Sequence, residues 1–193
     1  IAAVYYDEHK KPTGVLFYWI SDEVFHIKEM FYLNQEARNG LWNFISAHFS
    51  MIYWVAGDIY KNEPLSFLLD DSEITETIAP FFMAHIVDVK QFLLEYPFEK
   101  SVEPFYFEVT DPVAKWNNSI FALSWDDKGA LDISDQPKGK RIRLTIQTLT
   151  CLLMNYRRAT YLARIERIEA DKKAVELLES IIPDMEAYFS DYF

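Results

Sequence analysis

The side chains able to do chemistry in this 193-residue chain are few and scattered. His85 and Asp88 stand three residues apart, a spacing that would put two metal ligands on one helix face. His9, His26 and His48 have no such partner, so no metal site is expected. Cys151 sits in the apolar run Leu149-Thr150-Cys151-Leu152-Leu153 and reads as a buried, inert thiol. There is no Gly-x-Ser-x-Gly elbow for a serine nucleophile. One segment, Gln35-Glu36-Ala37-Arg38-Asn39-Gly40, falls between a strand and a helix, where backbone N–H groups can cradle a phosphate. It has only one glycine, and Glu36 adds negative charge, so anion binding is not expected there. The basic residues Lys138, Lys140, Arg141, Arg143, Arg157, Arg158, Arg164 and Arg167 read as a solvated face that offsets an acidic surface. The chain end is richer. Tyr188, Phe189, Tyr192 and Phe193 lie within the last six residues and favour docking of the tail into an apolar site. A docked α-carboxylate loses hydration, which raises its pKa from about 3.3–3.7 and lets it accept a proton from an attacking amine.

These groups must be held by elements that the hydrophobic pattern sets out. Strands are predicted over Ala2–Tyr6, over Val15–Ile20 as a buried apolar run, and over Phe25–Leu33 with a period of two; Lys10 to Gly14 reads as a turn. Asn34 is placed to cap a helix carrying Ala37, Leu41, Phe44, Ile45 and His48. Met51–Ala56 reads as a strand, and Asp70-Asp71-Ser72 as the cap of a short helix with Ile74 and Ile78 inward. After Pro80 come an amphipathic stretch (Ile86, Val89, Phe92, Leu93) and alternating strands at Phe105–Val109 and Ile120–Trp125. Next are a hairpin turn at Asp126–Gly129 and a third short strand at Leu131–Ser134. Ile142, Ile146, Leu149, Leu153 and Tyr156 fit one helix face, and Ala159–Ile165 continues the helical pattern. Asp171 is placed to cap a last helix that Pro183 stops. The result is an α+β chain of two modules, 1–79 and 80–193.

Composition bounds the function. Apolar residues make up 50% and charged residues 25%, so a real core can form. No apolar run approaches the ~18 residues of a membrane span, and no leader pattern opens the chain. One cysteine permits no internal disulfide and points to a reducing, cytoplasmic setting. Nineteen basic against thirty acidic residues give a net charge of −11, which argues against nucleic acid and suits a cationic, amine-bearing small molecule. Charge for solubility alone is the plainer account, and homo-oligomerisation stays open. The first residues already read as strand, so the chain is expected to be the C-terminal part of a longer protein.

Several segments, taken in order, resemble the C-terminal two-thirds of the Eis-like (enhanced intracellular survival) acetyltransferases of the GNAT superfamily. They are Pro80 to Val89 with Phe92-Leu93, Phe107-Glu108-Val109-Thr110-Asp111 with Trp116-Asn117, Ile146 to Thr150, Tyr156-Arg157-Arg158-Ala159, and the Asp191-Tyr192-Phe193 end. The resemblance implies a partial GNAT-like mixed sheet with helices over 1–79, as a second, degenerate GNAT-like module. It implies a sterol-carrier-protein-like α/β domain over 80–193. Acetyl-CoA, and the acid that protonates the departing thiolate, would belong to an N-terminal domain outside this chain. The family's pyrophosphate loop is Gln/Arg-x-x-Gly-x-Gly/Ala; here Gln35 and Gly40 hold the outer positions but Arg38 replaces the inner glycine. His85 stands where relatives often carry arginine. The resemblance makes Phe193, through its main-chain carboxylate, the general base, with Asp88, Asp191 and Tyr192 as substrate-binding candidates. The function implied is N-acetyl transfer to aminoglycoside- or polyamine-like amines, with this piece alone inactive. A lipid- or apolar-ligand-binding module of sterol-carrier type, or a non-catalytic structural module, are the alternatives.

Overall fold

Three strands, β1 (Ala2–Tyr6), β2 (Pro12–Ser21) and β3 (Val24–Tyr32), pair antiparallel in chain order. The structure is a computed structural model and describes residues 1–59, 65–68, 73–78, 82–101, 103–185, 187 and 189. The chain divides into two compact units, Ile1–Ile78 and Ala79–Phe193.

In the first unit, Asp7 Oδ1 accepts the N–H groups of His9 and Lys11, each at 2.9 Å, and folds the β1–β2 turn. The chain is already strand at Pro12, so the turn ends three residues sooner than Gly14 suggested. Asp22 and Glu23 both take positive φ, as a two-residue hairpin needs. Helix α1 (Gln35–Ser46) then crosses over to β4 (Trp54–Gly57), which pairs parallel with β3. Asn34 caps α1, accepting from the Ala37 N–H at 2.8 Å. Leu41 and Ile45 on α1 pack on Leu16 and Phe25. The apolar run Val15–Ile20 is not buried throughout. Leu16 is 0% exposed but Trp19 is 47% exposed, because alternate residues turn away from α1. A bulge between Phe17 and Tyr18 leaves Lys28 unpaired and reverses the phase of β3. Met30 thus joins the core while Phe31, expected inward, is exposed. A short helix α2 (Leu65–Leu68) follows. The helix expected to carry Ile74 and Ile78 is not formed over 73–78, where Ile74, Thr75, Thr77 and Ile78 are β-branched and give a helix little support. Its capping residues lie outside the described residues.

The second unit builds a five-stranded sheet in the order β7 (Leu131–Ser134), β6 (Ile120–Trp125), β5 (Phe105–Thr110), β8 (Lys140–Thr145), β9 (Glu169–Ala170). Helix α3 (Val89–Glu95) leads to β5 (Phe105–Thr110), a 3₁₀ turn at Lys115–Asn117, β6 (Ile120–Trp125) and β7 (Leu131–Ser134). Gly129, at φ +84°, and Asp126 Oδ1, accepting from Lys128 and Ala130 N–H, close the β6–β7 hairpin. Then come β8 (Lys140–Thr145), α4 (Ile146–Leu153), α5 (Ala159–Arg164), β9 (Glu169–Ala170) and α6 (Lys172–Ile181).

The helix face read from Ile142 to Tyr156 is corrected at both ends. Lys140–Thr145 is a strand, paired parallel with β5, in which Ile142 and Leu144 alternate with Arg141 and Arg143. Thr145 caps α4 by accepting from the Thr148 N–H at 3.3 Å, and Tyr156 lies beyond the helix end.

The core joins Phe105 and Phe107 of β5, in edge contact at 5.4 Å, to Leu123, Ile142, Ile146, Leu149, Leu152 and Leu178. Each such side chain contributes roughly 1.5–3 kcal/mol on burial. On the outer sheet face, Glu108 and Glu169 pair with Arg141 and Arg143 in a solvated ladder. No helix among the described residues is long and apolar enough to cross a membrane.

Candidate functional site

The second unit gathers its buried polar groups where β5 ends. Asp111 follows β5 immediately and is 1% exposed. Its Oδ1 accepts the N–H of Val113 at 2.9 Å and of Ala114 at 3.0 Å, the local turn that an Asp-Pro step favours. Its Oδ2 accepts from Asn117 Nδ2 at 2.9 Å and lies 3.5 Å from His85 Nε2. Burial opposes ionisation of this carboxyl. The hydrogen bonds from Asn117, Ala114 and Val113, with His85 nearby, overcome that and hold its pKa below the ordinary value.

Asn117 passes the network on. Its Oδ1 accepts the Val89 N–H at 3.1 Å, and its Nδ2 also donates to Val87 O at 3.1 Å. Trp116 Nε1 donates to the same Val87 carbonyl at 2.8 Å. Segment 82–88, which has no regular secondary structure, is thereby fixed against the β5–β6 connection. His85 and Asp88 do not share a helix face, because α3 begins only at Val89. Asp88 caps it, accepting the Gln91 N–H at 3.0 Å, while His85 turns to Asp111. Among the described residues no three His, Cys, Asp or Glu side chains could hold a metal ion.

The second part of the site is the start of the C-terminal tail. Arg158 donates from Nε to Glu179 Oε2 at 2.8 Å, from Nη2 to Glu179 O at 2.9 Å and from Nη1 to Ile182 O at 3.2 Å. Asn155 Nδ2 donates to Pro183 O and, at 2.9 Å, to Met185 O. Further along, the Phe189 ring packs on Phe82 with centroids 5.3 Å apart. Phe189 therefore lies on the segment that carries His85. Phe193, Asp191 and Tyr192, the proposed base and two of its neighbours, lie outside the described residues.

Asp111, Asn117, Asn155 and Glu179 were given no role from sequence. An Asp-Pro followed by Asn-Asn six residues after the aspartate is a turn signature that could have singled out the first pair.

In the first unit, Tyr32, Leu33, Asn34, Gln35, Arg38 and Leu68 line a depression of about 390 Å³ at the start of α1. A phosphate cradle there would need backbone free of side chains. Arg38 occupies the inner glycine position, and Glu36 lies in the first helical turn, its carboxylate accepting from Tyr5 Oη at 2.9 Å. At Gly40 a Cβ would overlap the Tyr5 ring, so that glycine serves packing of α1 on β1. These residues do not fit the pyrophosphate of acetyl-CoA.

Two family models match the chain: an acetyltransferase (GNAT) domain over residues 1–86 and a sterol carrier protein domain over residues 89–190. The search of curated proteins found no match. Among solved structures, a conserved protein of unknown function from Enterococcus faecalis, described as a probable N-acyltransferase, is 28% identical with a TM-score of 0.85. The match covers 97% of this chain and 49% of that one. A GCN5-related N-acetyltransferase from Anabaena variabilis is 22% identical with a TM-score of 0.75, covering 94% and 47%. Eis1 from Mycobacterium abscessus is 16% identical with a TM-score of 0.70, covering 92% and 47%. The chain thus spans about half the length of these solved relatives, and the last two likenesses show the fold alone. A GNAT domain falls within residues 1–86, so nothing here supports assigning acetyl-CoA to a domain outside the chain. With a mixed sheet and crossover helix in its first unit and the matching domain over most of its second, the chain belongs to the sterol carrier protein domain family, preceded by a GNAT acetyltransferase domain.

Proposed function

We propose that this chain is part of an acetyl-CoA-dependent N-acetyltransferase whose acceptors are cationic amines of polyamine or aminoglycoside type. The observation that carries this reading is the contact of Phe189 with Phe82. Phe189, four residues before the chain's last carboxylate, rests on Phe82, three residues from the His85–Asp111 pair. A carboxylate delivered to an apolar surface is poorly hydrated and becomes a better proton acceptor. The Phe193 α-carboxylate takes the proton from the nitrogen of the neutral amine as it attacks a thioester carbonyl; the C–N bond forms, the C–S bond breaks, and the departing thiolate takes up a proton. Asp88, Asp191 and Tyr192 are the proposed contacts to the acceptor. The GNAT match and the Enterococcus faecalis relative support the acyl-transfer class.

In this reading the chain contributes scaffold, part of the acceptor pocket and the base, and turns over nothing by itself. A cytoplasmic setting is part of the proposal, in keeping with a chain whose single cysteine, Cys151, permits no internal disulfide. The second unit's core is a cluster of packed apolar side chains, which gives the apolar-ligand alternative no specific support.

The test is removal of Phe193 from the intact protein. General-base loss should lower kcat about 10²–10⁴-fold with KM little changed. Turnover at the original rate would overturn the base assignment.

A further inference from the structure

We infer that Asn155 and Arg158 are positioning residues for the reaction: they grip the carbonyls at the root of the C-terminal tail and so aim it across segment 82–88. The inference rests on the reading that the tail carries the proton acceptor.

Chain ends ordinarily fray. Here the carbonyls of Ile182, Pro183 and Met185 are all taken by two side chains from the α4–α5 connection. Arg158 first fixes where α6 ends. It binds the Glu179 and Ile182 carbonyls, which the last helical turn leaves without N–H partners, and its Nε is held by the Glu179 carboxylate. Glu179 is itself held from the other side, where Oε1 accepts the Thr160 N–H at 2.7 Å.

Asn155 takes over where Arg158 stops. It follows the C-cap of α4 with φ +53°, the left-handed position that glycine fills most easily. Yet the residue is 6% exposed and its side chain is engaged at both ends, with Oδ1 accepting from Arg158 Nη1 at 3.1 Å and Nδ2 on the tail. The helix stop alone does not call for that side chain. What the side chain adds is a hold on the tail, four residues before Phe189 meets Phe82.

Asn155→Gly separates the two roles, since glycine keeps the helix stop and deletes only the grip; Arg158→Ala is the second variant. The first readout is independent of catalysis: the ring-to-ring NOE between Phe82 and Phe189 in the full chain with labelled phenylalanine, with the Phe105–Phe107 NOE as the internal control for folding. We expect the first NOE to be lost in Asn155→Gly and the second to persist. The Phe82–Phe189 NOE persisting at full strength in both variants would overturn the inference and leave the acetyltransferase reading untouched.

The second readout uses acetyl-CoA and spermine with the intact protein. Mispositioning should lower kcat by about a hundredfold while KM is held. If the NOE is lost but kcat is unchanged, while removal of Phe193 abolishes turnover, the positioning role fails. If removal of Phe193 also changes nothing, the base reading fails instead, and the grip stands on the NOE alone.

Discussion

At the scale of single residues, the buried carboxylate of Asp111 governs the site's architecture, and its titration is predictable. Its pKa lies below the ordinary value of 3.8, because bonds from Asn117, Ala114 and Val113 outweigh burial. The folded state therefore binds fewer protons than the unfolded state in acid. The contribution to stability is fully present above that ordinary value and is lost as pH falls through the lowered one. Asp111→Asn keeps an acceptor for the two backbone N–H groups but turns an amide donor toward Asn117. Thermal melts should show a midpoint several degrees lower at neutral pH and a flatter acid limb; an acid limb identical to the parent's would mean that Asp111 does not titrate there. Asp88 offers a complementary test, because its cap and its proposed substrate contact make different demands. Asparagine caps a helix about as well as aspartate. Asp88→Asn should then leave the melting temperature nearly unchanged while raising KM for a polycationic acceptor, and an unchanged KM would leave Asp88 as a cap only. The caps at Asn34 and Asp171 were legible because each acts on an N–H three residues ahead. Asp111 was not, since its partner His85 lies 26 positions upstream and only the fold brings them together.

Elements were legible where neighbouring residues decide them and obscure where distant strands do. The period-two pattern of β5 and the Asp126–Gly129 hairpin follow from local sequence and formed where expected. Strand β8 was read as helix because Ile142 lies four residues before Ile146 and fits a helical series equally well. What makes it a strand is the parallel register with β5, from Phe105↔Lys140 to Thr110↔Thr145. The same limit hid the Phe17–Tyr18 bulge, which no residue type announces and which decides that Met30 rather than Phe31 is inside. Two substitutions test the elements directly. Thr145→Ala removes the side-chain acceptor at the start of α4 and should cost about 1 kcal/mol in urea unfolding. Gly40→Ala sets two effects against each other: alanine favours a helix interior by about 1 kcal/mol, while forcing a methyl into the Tyr5 ring costs typically 1–3 kcal/mol. The Tyr5–Glu36 hydrogen bond would be strained as well, so the sum is destabilising. A more stable Gly40→Ala variant would show that α1 can lift off β1 at little cost.

At the scale of the whole chain, the property that bears on the proposed function is charge. Thirty acidic residues against nineteen basic ones give −11. Several basic side chains are paired in place, Arg141 and Arg143 with Glu108 and Glu169, Arg158 with Glu179, and Lys140 with Glu103; each pair removes one charge of either sign and leaves the negative excess as it is. A field of this sign concentrates polycations and repels anions, and it acts over a screening length of about 10 Å at 0.1 M salt and about 3 Å at 1 M. The acceptor's charge therefore sets how its KM responds to salt. On the proposed reading, KM for a polyamine such as spermine should rise steeply between these two ionic strengths, while kcat, assigned there to local geometry at the tail, stays level. A singly charged amine should show a much weaker rise. Because the field reaches only about one screening length, substituting exposed acidic residues within about 10 Å of segment 82–88, other than Asp88, should weaken the salt dependence for spermine, whereas more remote substitutions should leave it unchanged. Parallel salt responses for the two amines would mean that the charge serves solubility alone, and that acceptor choice is made entirely by contacts within the pocket.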